Sequence, residues 1–171
     1  MPNQLADTST VAPYFHYYLS RVTNPNTLEL LKQSRDETFA FLQTIPEEKG
    51  NHAYEDGKWT VKEVIQHLSD CERVFQYRAL CFARNDKTVL VGFDENVWGK
   101  NTGVEHRSII DVAAELKVVR NGTIELFKGL SVDMLDRTGY VGENQFNVRA
   151  LIQINPGHEL HHLEVIKERY L

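Results

Sequence analysis

Cysteine is scarce in this 171-residue chain: there are two, Cys71 and Cys81. Both fall in one helical segment and point to different faces, so they cannot bridge each other there. That excludes a disulfide scaffold. With no signal-peptide pattern at the start, two thiols predict a reducing cytoplasm. Long apolar runs are missing too. None approaches the ~18 residues of a membrane span, so no membrane-inserted segment is expected. There is no basic surplus, because the formal net charge is -5, and there is no basic stripe. The electrostatic footprint of a nucleic-acid binder is therefore lacking, and no nucleic-acid partner is expected. Internal repeats and low-complexity tracts are absent, and no segment alternates convincingly enough to read as a strand.

What is present is an ordinary globular balance, 42% hydrophobic and 25% charged residues, in a chain long enough to bury one core unaided. Met1 to Thr10 is polar, and residues 1–12 are expected to form a flexible N-terminal segment ahead of one domain, 13–171. Pro13 to Leu19 is aromatic and short, a lid or short helix lying across the rest.

Four long helices follow. The first spans about Thr27 to Gln43, with Leu28, Leu31, Phe39 and Leu42 at helical spacing and Pro46 closing it. The second opens on Thr60-Val61-Lys62-Glu63, a capping box in which hydroxyl and carboxylate each satisfy an amide of the other residue. Its stripe of Val64, Ile65, Leu68, Cys71 and Phe75 carries it to Ala83 or Arg84. The third starts at Ser108, with Asp111 at the capping-box spacing, and stops at Gly129. The fourth is capped by Asn147 and runs to the end. Pro156 lies inside it, which predicts a kink or break near Ile152 to Asn155. Gly139 to Gln145 reads as a short glycine-containing loop. The links before and after the second helix are long, so crossover connections are open to the chain. The expected fold class is all-α, a four-helix bundle.

His158-Glu159-Leu160-His161-His162 is the most informative stretch. His158 and His162 are one turn apart on the apolar face, and two imidazoles so placed can grip one metal ion. His161 points about a quarter-turn away and is not counted. His67 borders the core on the second helix, and bundles build metal sites from side chains on facing helices. Three histidines leave a fourth coordination position open, the pattern of a catalytic site. The same pentapeptide matches His-Glu-x-x-His of zinc proteases. There Glu159 would be the general base, but too little chain follows for a downstream ligand and no sheet is evident. Cys71, one turn from His67, is either a thiolate ligand or a small buried core residue.

Gly57-Lys58-Trp59-Thr60-Val61-Lys62-Glu63-Val64-Ile65-Gln66-His67-Leu68, its extension Glu72 to Leu80, Gly92-Phe93-Asp94-Glu95, Val148-Arg149-Ala150-Leu151 and Gly157 to Leu163 together resemble the DinB/YfiT-like superfamily. The resemblance implies a four-helix bundle with unusual crossover topology, commonly a homodimer. It implies one divalent metal ion, zinc or nickel, at His67, His158 and His162. It further implies an enzyme acting on a small-molecule substrate, either a transferase using a low-molecular-weight thiol such as bacillithiol or mycothiol, or a hydrolase. Glu159 is then the candidate general base. The alternative is a non-catalytic metal-binding stress protein whose metal stabilises the bundle.

Overall fold

A computed structural model describes residues 3–171. In chain order the elements are α1 (His16–Ser20), α2 (Thr27–Leu42), α3 (Val61–Ala83), α4 (Glu95–Gly99), α5 (Ile109–Lys128), α6 (Val132–Leu135), β1 (Thr138–Val141), β2 (Asn144–Asn147) and α7 (Val148–Arg169). Each long helix starts where a side chain satisfies its exposed amides. Asn26 accepts from the Glu29 amide at 3.2 Å. Thr60 and Glu63 close the expected box at 2.6 and 3.2 Å, and Ser108 and Asp111 close a second. Asn147 accepts from the Ala150 amide at 2.7 Å. These caps place the helix starts where the sequence signals put them.

The four long helices form the bundle. α3 packs against both α5 and α7, while α2 packs mainly on α5 and, to a lesser extent, on α7. Consecutive α2 and α3 are thus diagonal, as are α5 and α7, and the long links serve as crossovers. Two apolar clusters fill the interior, one around Phe75, Phe82, Phe127 and Leu151, the other around Leu42, Ile65, Leu116 and Ile166. A buried polar layer separates them: Ser34 and Thr38 on α2, His67 and Glu72 on α3, Arg120 on α5, His158 and Glu159 on α7.

Two expectations need correction, the loop at Gly139 to Gln145 and the break at Pro156. The loop at Gly139 to Gln145 is an antiparallel hairpin, Thr138 opposite Asn147 and Val141 opposite Asn144. Four-residue strands give too little alternation to read from sequence. Gly142, at φ +57°, supplies the left-handed residue the two-residue turn needs.

Gln4, Ala6 and Asp7 of the N-terminal segment are hydrogen-bonded to β2 and α7. The Ala6 amide donates to Gln153 Oε1 at 2.9 Å, and Gln153 Nε2 donates to the Gln4 carbonyl at 2.9 Å. Asn147 Nδ2 donates to the Asp7 carbonyl at 3.0 Å. Buried Gln153 and Asn147 need partners, and this segment provides them. Met1 and Pro2, also expected to be flexible, lie outside the described residues.

The break expected near Pro156 is not there, since α7 stays helical from Val148 to Arg169. Proline withdraws the amide that the Ile152 carbonyl would have accepted from. Asn155 Nδ2 compensates, donating to the Leu151 and Ile152 carbonyls at 3.3 and 3.4 Å. Gly157 then lets α1 come close, since a Cβ there would lie 2.0 Å from the Tyr18 carbonyl oxygen. Gly157→Ala must push α1 off α7, an overpacking penalty of about 1–3 kcal/mol. Thermal denaturation is expected to show a lower midpoint; an unchanged midpoint would refute the contact. No helix of the described residues is long and apolar enough to cross a membrane.

Candidate metal centre

The packing of α3 on α7 brings His67 to the His158–His162 pair. His158 Nε2 stands 3.2 Å from His67 Nε2 and 3.0 Å from His162 Nε2. The His67 and His162 ring centroids are 5.0 Å apart. His158 thus meets each of the other two sequence-predicted histidines. A neutral imidazole has one in-plane lone pair, so hydrogen bonds alone serve this convergence poorly. Two nitrogens on one tetrahedral ion at ~2.0–2.1 Å stand roughly 3.3 Å apart, close to these separations. The donor set fits a divalent cation.

Cys71 competes for a place in that set. The donor atoms of His67, Cys71 and His158 lie within 4.8 Å of one another. Its Sγ, however, is 3.6 Å from both Nδ1 and Nε2 of His67. A sulfur equidistant from the two nitrogens lies off the axis of the Nε2 lone pair. Burial also pushes the thiol up to about 12, so it stays protonated in the metal-free chain. Cys71 and His162 both stand beside the His67–His158 pair as candidates for the third donor.

Burial sets the charge state of the centre. It depresses His67 to about 4. His162 falls to about 3 through burial and the neighbouring His67 and His161 rings. His158 is held well below the usual imidazole range, first by burial and then by His162, His67 and His161. All three are neutral at pH 7, the form in which imidazole binds metal.

The cluster faces a cavity of about 600 Å³ whose lining includes Tyr14, Tyr18, Phe75, Arg78, Phe93 and Glu95. The aromatic N-terminal segment thus covers the site as a lid-like wall, with Tyr18 edge-on to His158 at 5.1 Å. Trp59 tilts over His67 at 4.6 Å and steadies that ring. Trp98 does not line the cavity; it stacks on Phe93 at 4.5 Å. Asp94 caps α4, accepting from the Asn96 and Val97 amides.

Glu159 does not join the histidines. Successive helix residues diverge by roughly 100°, so with His158 turned to the cavity, Glu159 turns toward α2 and α5. Arg120 Nη2 donates to its Oε2 at 2.7 Å, and it is absent from the cavity lining. The general-base position expected of Glu159 is not where its carboxylate sits. Sequence reasoning also missed the partner network. Arg120 grips Glu72 through Nε at 2.7 Å and Nη2 at 3.0 Å, and Ser34 Oγ through Nη1. It missed Arg78 as well, whose signal was a charged residue on the apolar stripe of α3.

Histidines from two facing helices at the wall of a cavity are the arrangement by which helical bundles build metal sites. The sequence profile of the DinB superfamily matches residues 30–166, and the chain belongs to that superfamily. A protein of Geobacillus thermodenitrificans (strain NG80-2), named as a candidate metal-dependent hydrolase, is 30% identical over 70 residues, 41% of this chain. The match spans 39% of that relative's own length. YfiT from Bacillus subtilis, described as "a probable metal-dependent hydrolase with an unusual four-helix bundle topology", superposes with a TM-score of 0.75 at 15% identity. That likeness covers 96% of this chain and 91% of the other, and it shows the shared bundle fold.

Proposed function

We propose that the chain is a metal-dependent enzyme, a hydrolase of a small molecule, with one divalent ion, zinc or nickel, held by His67, His158 and His162. The observation that carries this reading is the approach of the neutral His67 and His162 imidazoles to His158 Nε2 on the wall of a cavity of about 600 Å³. A cavity reaching the donors favours catalysis over a purely structural metal, whose site would be sealed. When bound, the ion supplies Lewis acidity and a nucleophile active at neutral pH.

The chain's own residues do the rest. Trp59 and Tyr18 hold the His67 and His158 rings in place. Phe15, Phe75 and Phe146 exclude water from the cavity and shape it for an apolar substrate body. Glu159 contributes by anchoring α7 through Arg120, which fixes His158 beside it. Both relatives' names favour hydrolysis over transfer to a low-molecular-weight thiol. The functional unit is the bundle, residues 13–171, read as a homodimer and, in keeping with its two free thiols, as cytoplasmic.

The test compares chelator-stripped protein with protein reloaded with zinc or nickel, on a panel of small esters and amides. A second arm offers an electrophile and a thiol. Turnover of the ester or amide panel that requires metal and vanishes in His158→Ala is expected. Activity that survives stripping would contradict the proposal, and metal-dependent activity confined to the thiol arm would replace hydrolysis by transfer.

A further inference from the structure

Three arginines of this chain are buried: Arg78 at 5%, Arg120 at 2% and Arg149 at 2% relative exposure. Arg120 meets Glu72 and Glu159, and Arg149 meets Asp136 at 2.9 Å. Arg78 makes no ion pair among the described residues. A guanidinium carries five N–H donors, and here a single bond is formed, from Nη2 to the Val91 carbonyl at 3.0 Å. The Phe75 and Phe93 rings lie 5.9 and 5.8 Å from its central carbon. They hold the cation by its apolar surroundings and leave its hydrogen-bonding edge unused. Arg78 lines the same cavity as the histidines. Glu95, also on that wall, is exposed and does not pair with it. Burying a cation without a counter-charge is unfavourable, and burial does work against the charge of Arg78.

We propose that Arg78 is the anion-binding end of the cavity, so that the substrate carries an oxyanion, a carboxylate or a phosphate, that docks on its guanidinium. This rests on the reading above, which places the reacting bond at the histidines. His67 and Arg78 are both on α3, with about 16 Å of helix between their Cα atoms. Long helical side chains lean back toward the N-terminus, which shortens the gap between the two functional ends. The ligand is therefore longer than a simple carboxylate: an anionic head on an apolar body that passes Phe75. A purely architectural role, tethering the Val91 segment, uses one donor and gives no reason for a charge.

Calorimetric titration with 4-phenylbutyrate, phenyl phosphate and the neutral 4-phenylbutyramide decides the matter, on zinc-loaded and on chelator-stripped protein. At least one anion is expected to bind about tenfold or more tighter than the amide, since hydrogen bonds to charged groups are the strong ones. The preference should persist without zinc, vanish in Arg78→Gln and survive in part in Arg78→Lys. The stronger of the two anions identifies the head group. Equal binding of anions and amide by the unaltered protein, or no binding of any probe, would overturn the proposal. So would a preference seen only with zinc and retained in Arg78→Gln, because the anion then sits on the metal. The comparison of anion and amide needs no variant, so a misfolded Arg78→Gln leaves the test intact. Failure of the metal reading shows separately, as a chain that retains no zinc yet still prefers the anion.

Discussion

Arg120→Ala is expected to destabilise the protein by about 3–5 kcal/mol, among the largest effects of any single substitution in the bundle. Arg120, Glu72 and Glu159 are all about 2% exposed, so water cannot take over the bonds the guanidinium makes. Its removal strands two carboxylates in the layer between the apolar clusters. Burial already pushes the Glu159 carboxyl above its ordinary range, with Arg120 and the Thr38 hydroxyl pulling the other way. Without Arg120, desolvation and the repulsion of Glu72 are opposed by the Thr38 hydroxyl alone, and proton uptake or local opening must follow. In a domain of this size the thermal midpoint should fall by roughly 6–20 °C. Glu159→Gln is the control. It keeps an acceptor for Arg120 Nη2 and leaves the Arg120–Glu72 pair whole, so its loss should be far smaller. Urea and thermal unfolding of the two variants check this. Similar losses in both would show that Glu159 matters for something other than balancing Arg120.

Adding zinc to the stripped protein is expected to raise the thermal midpoint, and His158→Ala should abolish that rise. His158 is the central donor, 3.2 Å from one partner and 3.0 Å from the other, so its loss divides the set. An ion present at about a thousand times its dissociation constant stabilises the native state by ~4 kcal/mol, roughly 8–16 °C here. The same histidines impose a pH dependence on the stripped protein. In the folded chain His67 titrates at about 4 and His162 at about 3, below the ordinary 6.5. Below pH 6.5 the unfolded chain takes up protons that the folded chain refuses, so stability falls as pH drops from 6.5 toward 3. Above 6.5 neither state binds these protons, and their contribution is constant. Acid also displaces the ion, because protons compete for the same lone pairs. Thermal scans of loaded and stripped protein across this range check both effects. A stripped protein whose midpoint is flat from pH 7 to 4 would mean the imidazoles are not buried as described.

The helices were legible because their signals are local. Thr60 with Glu63, Ser108 with Asp111, and Asn147 each mark a start by side-chain chemistry that needs no tertiary context. The pair His158 and His162 was legible for the same reason, one helical turn on one face. His67 needed the packing of α3 on α7, which no single helix announces, although its place on the apolar stripe pointed inward. What stayed hidden depends on partners distant in sequence. Asn155 rescues the carbonyl that Pro156 leaves, and Gly157 admits the Tyr18 carbonyl, so a proline that reads as a break sits inside an intact helix. Arg120 has no sequence signal of its own, because Glu72 and Glu159, its partners, lie on other helices. Glu159 shares a motif with His158, and the motif suggested a shared site. One step along the helix sends its carboxylate to another face.

The central claim is a metal ion on His67, His158 and His162. Elemental analysis of untagged protein, run beside His158→Ala and Cys71→Ser, tests it most directly. The account predicts about one zinc or nickel ion per chain in the parent protein, in keeping with a single three-histidine site. It predicts none in His158→Ala and an unchanged content in Cys71→Ser. No metal in the parent, even after incubation with zinc and nickel, would contradict it and leave the three histidines as neutral members of a polar core.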